Sequence, residues 1–489
     1  MNLLLQSHRL QSVHRERLSP VDGLARIMTR VSKPYGIHIE TNIDKRPPNE
    51  RCNGATIDEC REVFIAAGAP FPVRFRAVGW GGSDSEPRTA LSLVDNITTP
   101  NFALSAASGA FKLEQTLMAP AGGDLGALSA RSYNHALGEV TTVAAQSISE
   151  VGIFQLTASP NQGVSYLGES VDGGVSNLIG RFIPARLGVA AVASLTPSCG
   201  AFSYQGQPID FALGFEPQVT VTGYSSAGSV TNNYDRGPFW RLGSPTREAY
   251  RSVVGKKALD DRLITQGTSS EVIEGMDDGD GARMYRWSGE QLIYEPGAAP
   301  SPDDLPIVAV VEQTLPAAGL TDLDGACHST AGLGCQSYTY EFTQSPGSEI
   351  RLGQLTLGNA HGSELQGLDL PITIETWQAL GSASGFRPES DQCTVSATVG
   401  DPSLQAFSGD LSQGETLAKV SMLLGGNGAL GLSAPGQGNQ GNVKVALRLM
   451  PEWLKYDWVG GGRESATGLA SFGIYRGSPP LIFRREVYR

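Results

Sequence analysis

Apolar and polar residues alternate over short runs, and a turn bearing glycine or proline ends most of them. In Phe71-Pro-Val-Arg-Phe-Arg-Ala-Val, Phe71, Val73, Phe75 and Ala77 fall on one face, and Arg74 and Arg76 on the other. Gln218-Val-Thr-Val-Thr-Gly-Tyr sets Val219 and Val221 opposite Thr220 and Thr222, and Val443-Lys-Val-Ala-Leu-Arg-Leu repeats the pattern. A period of two is that of a strand with one face buried. Short strands delimited by turns predict antiparallel sandwiches. The turns are well supplied: 60 glycines and 29 prolines in 489 residues exceed the usual share by about half. The expected fold is mainly β, with tandem immunoglobulin-like β-sandwich domains and long loops.

A chain of 489 residues is long enough for about three domains. The expected division is a basic leader over 1–30, a β-sandwich over 31–180, a β-rich domain over 181–300 and a C-terminal β-sandwich over 301–489. The boundary near 300 is placed at Pro296-Gly-Ala-Ala-Pro-Ser-Pro302, a run typical of connections. Arg247 to Ile264, with its Lys, Arg, Leu and Ala content, suits a helix, and the glycine-rich 425–442 reads as a long exposed loop. The last stretch, from Trp453 to Arg489, reads as a closing hairpin.

The formal net charge of −12 disfavours nucleic acid and anionic lipid as partners. No run approaches 18 apolar residues, so no membrane-spanning helix is expected. Residues 1–30 carry five arginines and two histidines without an apolar core, which does not fit a signal peptide. Either the protein is cytosolic or the chain begins inside a longer exported precursor, and the second is the expectation. Six cysteines are present. Cys52 and Cys60, and Cys327 and Cys335, each bracket a short loop, leaving Cys199 and Cys393. Disulfides suit an exported protein and free thiols a cytosolic one; no Cys-x-x-Cys spacing supports zinc or redox chemistry. Spacing leaves the connectivity open.

No Gly-x-Ser-x-Gly elbow, His-Glu-x-x-His or phosphate loop occurs, and no catalytic residue is assigned. Gly426-Asn-Gly-Ala-Leu-Gly431 matches Gly-x-Gly-x-x-Gly, but the helix that a dinucleotide needs does not follow. The one cofactor considered is calcium, at Asp277, Asp278 and Asp280 in Asp277-Asp-Gly-Asp-Gly281, since closely spaced carboxylates suit a hard cation. No Glu stands at the twelfth position of an EF-hand loop, and a solvated acidic turn is the plainer reading. Trp240, Trp287 and Trp377 form a sugar-stacking face if exposed; the plainer role for Trp in a β protein is packing.

In chain order, a series of short segments stands out: Thr99-Pro-Asn-Phe102, Glu150-Val-Gly152, Tyr166-Leu-Gly168, Gly180-Arg-Phe-Ile-Pro184, Cys199-Gly-Ala-Phe-Ser-Tyr204, Asn233-Tyr-Asp235, Arg351-Leu-Gly353, Asn359-Ala-His-Gly-Ser-Glu-Leu365, Asp391-Gln-Cys393, Trp453-Leu-Lys-Tyr-Asp-Trp458, Phe472-Gly-Ile-Tyr-Arg-Gly477 and Arg485-Glu-Val-Tyr488. Together, over about residues 35–489, they resemble the C-terminal region of the MshQ-like proteins of the mannose-sensitive haemagglutinin type IV pilus. The resemblance implies an exported surface protein of Gram-negative bacteria, associated with a type IV pilus, and carries over no catalytic residue. One departure is Val459-Gly-Gly-Gly-Arg-Glu, where the family often has an acidic stretch. The function expected is a non-enzymatic extracellular or cell-surface protein serving type IV pilus biogenesis or adhesion. Pilin-like or pilus-assembly proteins are the expected partners, and surface glycans the alternative for a carbohydrate-binding module.

Overall fold

A computed structural model describes residues 33–473, apart from 42–59, 61, 83, 85–87, 101, 103–108, 137–138, 162–170, 255–256, 259–261, 298–299, 331–332, 345–348, 396 and 458–461. The expected leader 1–30, Cys52 and residues 474–489 lie outside the described residues. The chain is mainly β, in tandem β-sandwiches. The α-helix among the described residues is the single turn Ala90–Leu93, capped by the Thr89 hydroxyl.

In the first sandwich, Phe71–Val78 lies between Gly36–Glu40 and Thr142–Gln146, antiparallel to both. The facing sheet runs in the order Ile65–Ala66, Ile179–Ile183, Gly152–Pro160, Ala110–Ala119, Ser132–Asn134. The period of two read in Phe71–Val78 is realised: Phe71, Val73 and Phe75 enter the core with Ile37, Phe111, Phe154 and Phe182, and Arg74 pairs outside with Glu40 at 2.9 Å.

The second sandwich pairs Arg186–Val192, Gln218–Tyr224, Ala282–Tyr294 and Ile209–Asp210, with Leu263–Glu274 also on Ala282–Tyr294. Lys257–Ala258, Arg251–Val254, Val310–Leu315 and Tyr338–Thr343 form the other sheet. Arg251–Val254 corrects the expected helix over 247–264. Tyr250 and Ser252 are buried at a spacing of two, and the β-branched Val253 pairs with Val310, so tertiary pairing overrides helix-compatible composition. The connection near 300 is a crossover within this sandwich: Val219 and Tyr285 before it share one core with Ala309, Val311 and Phe342 after it.

In the third sandwich the order is Gly353–Leu357, Leu368–Leu380, Asn427–Leu432, Ala418–Val420, with Ala383–Pro388 also on Leu368–Leu380. It faces Ala360–Gly362, Thr467–Phe472, Gly441–Leu449 and Gly400–Gly409. The exposed loop expected over 425–442 is therefore corrected in part. Gly425 and Gly426, at φ +59° and +78°, make a turn, and Leu430 and Leu432 of the strand after it are core residues beside Leu370 and Val445. Where a closing hairpin was expected over 453–489, residues 467–472 form an interior strand of the second sheet, between Ala360–Gly362 and Gly441–Leu449.

Candidate functional site

The most heavily built polar structure lies where one sandwich meets the next. At the first junction, the loop after Gln218–Tyr224 reaches back to the preceding sandwich. Ser226 N donates to Ala67 O at 2.8 Å. Asn233 accepts from Asp124 N at 2.6 Å and donates to Asp124 O and Val151 O, both at 2.8 Å. Asn232 donates its side-chain amide to the Asp124 carboxylate at 2.6 Å. Gly123 passes so close that a Cβ there would lie 2.4 Å from the Asn233 side-chain oxygen. Arg181 of the first sandwich pairs with Asp324 of the second. Tyr234, fully buried, donates to Asp322 at 2.9 Å.

Glu150 is the centre of this clasp. It is 4% exposed and accepts three backbone N–H bonds, from Val151 at 2.8 Å, Asn232 at 3.0 Å and Asn233 at 3.1 Å. Burial pushes its carboxyl up to about 7, and the three N–H groups hold it from rising further. Buried carboxylates pay for desolvation unless hydrogen bonds favour the charged form.

The second junction is covalent. Cys199, before the Phe202–Tyr204 strand, is bonded to Cys393 in the third sandwich. Phe202–Tyr204 runs parallel to Glu349–Arg351, and Phe202 and Tyr204 pack in the third core. Tyr204 donates to Asp391 at 2.7 Å, and Asp391 also accepts from Cys393 N, Thr394 N and the Thr394 hydroxyl. Burial and the Asp391 carboxylate keep the Tyr204 phenol protonated far above its usual range. Arg351 bridges Glu349 and Glu389 at 2.7 and 2.9 Å.

The other expected site residues fall elsewhere. Cys327 and Cys335 are bonded to each other; Cys60 is buried, and its expected partner Cys52 lies outside the described residues. Trp240 and Trp287 are only 8% and 5% exposed, which corrects the sugar-stacking expectation for both. The Tyr234 ring, centred 4.6 Å away, and the Arg283 guanidinium, at 4.8 Å, pack on Trp240, and Arg247 lies 4.3 Å over Trp287. Trp377 is half-buried, edge-on to Phe386 at 5.1 Å. Of the expected calcium residues, Asp278 and Asp280 come together, and the third carboxylate with them is Asp235, from a distant loop. Asp277 turns away in a left-handed conformation, φ 62°, and accepts from Gly237 N.

Three family models match successive parts of the chain: DUF6701, second domain, over 33–147; third domain, over 150–341; and fourth domain, over 351–487. The chain belongs to the DUF6701 family. Its third-domain match begins before Gly152–Pro160 and Ile179–Ile183, which build the first sandwich here. Among curated proteins, none matches. Of solved structures, the chain is similar to invasin, a bacterial integrin-binding protein, at 11% identity and TM-score 0.22, over 84% of this chain and 58% of that one. It is similar to the cadherin-like domains 1 to 4 of zebrafish RET at 7% identity and TM-score 0.25, over 74% of this chain and 66% of that one. The chain thus spans less than two thirds of either.

The short segments singled out in the sequence include Glu150, Arg181, Cys199, Tyr204, Asn233, Arg351, Asp391 and Cys393, all placed at the two junctions. Their role was not legible in the sequence, because the partners that join the sandwiches, such as Asn233 for Glu150, Asp324 for Arg181 and Asp391 for Tyr204, lie far away along the chain.

Proposed function

We propose that this protein is an exported, non-enzymatic β-sandwich protein of the cell surface, serving type IV pilus biogenesis or adhesion. The observation that carries the reading is the Cys199–Cys393 bond between successive sandwiches, joined by the local Cys327–Cys335 bond. Disulfides persist in oxidising compartments, and a protein that must hold domains in register outside the cell gains from a covalent tie. The collinear motif series supplies the pilus association. Pilin-like or pilus-assembly proteins are the proposed partners, engaged by sheet edges and loops.

Deleting the gene and counting surface pili by electron microscopy, with attachment measured in parallel, tests this. Fewer pili or weaker attachment, restored by the gene in trans, is expected; unchanged pili and attachment overturn it. The carbohydrate-binding alternative rests on Trp377, the one half-buried member of the three tryptophans. A glycan array on which binding disappears with Trp377→Ala supports it, and an array with no binding removes it.

A further inference from the structure

Asp235 sits in the loop that clasps the first sandwich, two residues beyond Asn233. Asp278 and Asp280 sit in the turn between Leu263–Glu274 and Ala282–Tyr294. One carboxylate oxygen from each lies within 4.8 Å of the other two. Backbone donors orient the group: Gly279 N to Asp235 Oδ2 at 2.8 Å, Asp280 N to Asp278 Oδ1 at 3.3 Å, and Ala282 N to Asp280 Oδ1 at 2.8 Å.

Two observations separate this group from an ordinary acidic turn. Asp235 is 0% exposed, yet its Oδ1 has no hydrogen-bond partner. Moreover, among the described residues, neither nearby arginine forms an ion pair with the three carboxylates. Arg236 lies against Gly279, while Arg283 donates to the Asp235 backbone carbonyl at 2.6 Å and stacks on Trp240. A buried carboxylate held against a second one needs a proton or a cation between them.

We infer that Asp235, Asp278 and Asp280 form a divalent-cation site, with Ca²⁺ as its ion, that joins the acidic turn to the loop clasping the first sandwich. The ligands are hard oxygens, and two of the three carboxylates are open to water. That arrangement suits the irregular six- to eight-fold coordination of Ca²⁺ better than the rigid octahedron of Mg²⁺. The site does not depend on the surface reading, so either can fail alone.

Calorimetric titration of the full chain with Ca²⁺, and separately with Mg²⁺, tests it. The expectation is one Ca²⁺ per chain with Kd of about 10⁻⁴–10⁻³ M, the range of extracellular modules, and weaker Mg²⁺ binding. Asp278→Asn with Asp280→Asn, both at exposed positions, weakens Ca²⁺ binding at least about tenfold, since affinity follows the count of charged ligands. Asp277→Asn leaves it unchanged. Asp235→Asn also abolishes binding; if that variant fails to fold, the exposed pair decides. Absence of binding at millimolar Ca²⁺, several equivalent weak sites shared with Mg²⁺, or undiminished binding in the exposed double variant overturns the inference.

Discussion

Glu150 shows how one side chain makes a junction sensitive to pH. Its folded carboxyl titrates near 7 against 4.5 for the free group, so the folded chain holds that proton more tightly than the unfolded one. The stability this contributes is fully present below about pH 4.5 and is lost as the pH rises through about 7, on the order of 3 kcal/mol in all. His38 runs the other way. Burial, then Arg76, lowers its ring to about 4, so its contribution is present above about 6.5 and lost as the pH falls through about 4. The quantity to measure is therefore the difference between wild type and Glu150→Gln. Denaturant midpoints taken from pH 4.5 to 8 are expected to decline with pH more steeply in wild type than in the variant. Parallel curves remove Glu150 from the account.

At the scale of strands, the sandwiches interlock across the family's own domain limits. Gly152–Pro160 pairs with Ala110–Ala119 along most of its length, and Ile179–Ile183 pairs with it in turn. A fragment of residues 33–148 would expose that edge and lose Phe154, Leu156 and Phe182 from the core. Circular dichroism is expected to show no cooperative melting for 33–148 and a cooperative transition for 33–185; cooperative melting of the shorter fragment contradicts the interlock.

Strands were legible where polarity alternates cleanly, as in Phe71–Val78 and Gln218–Tyr224. They were hidden where it does not. Glycines at 428 and 431 disguise the strand carrying Leu430 and Leu432, and the charged residues of 247–264 mimic a helix. The acidic group was half legible. Asp278 and Asp280 share one turn, but the third carboxylate is Asp235, whose place beside them is set by the pairing of Gln218–Tyr224 with Ala282–Tyr294. Asp277, adjacent in sequence, is turned out by its own backbone. The buried tryptophans were illegible as such, since sequence does not tell a core indole from an exposed one.

At the scale of the whole molecule, both junctions continue the cores they join. Val151, Ile153 and Leu178 of the first sandwich pack into the second core, and Phe202 and Tyr204 lead from the second into the third. The Cys199–Cys393 bond closes a separation of 194 residues, and removing a bond of this kind costs about 2–5 kcal/mol. Cys199→Ser with Cys393→Ser is expected to lower the denaturant midpoint of the full chain by a corresponding amount, and an unchanged midpoint contradicts a structural role for that bond. Antibody labelling of intact cells, together with thiol alkylation of the captured protein, decides whether the protein is oxidised, exposed on the cell surface and associated with a pilus, as proposed. Surface label that follows the sheared pilus fraction is expected, with Cys199 and Cys393 protected from alkylation until reduced. Label only after lysis, with both thiols freely alkylated, would contradict it.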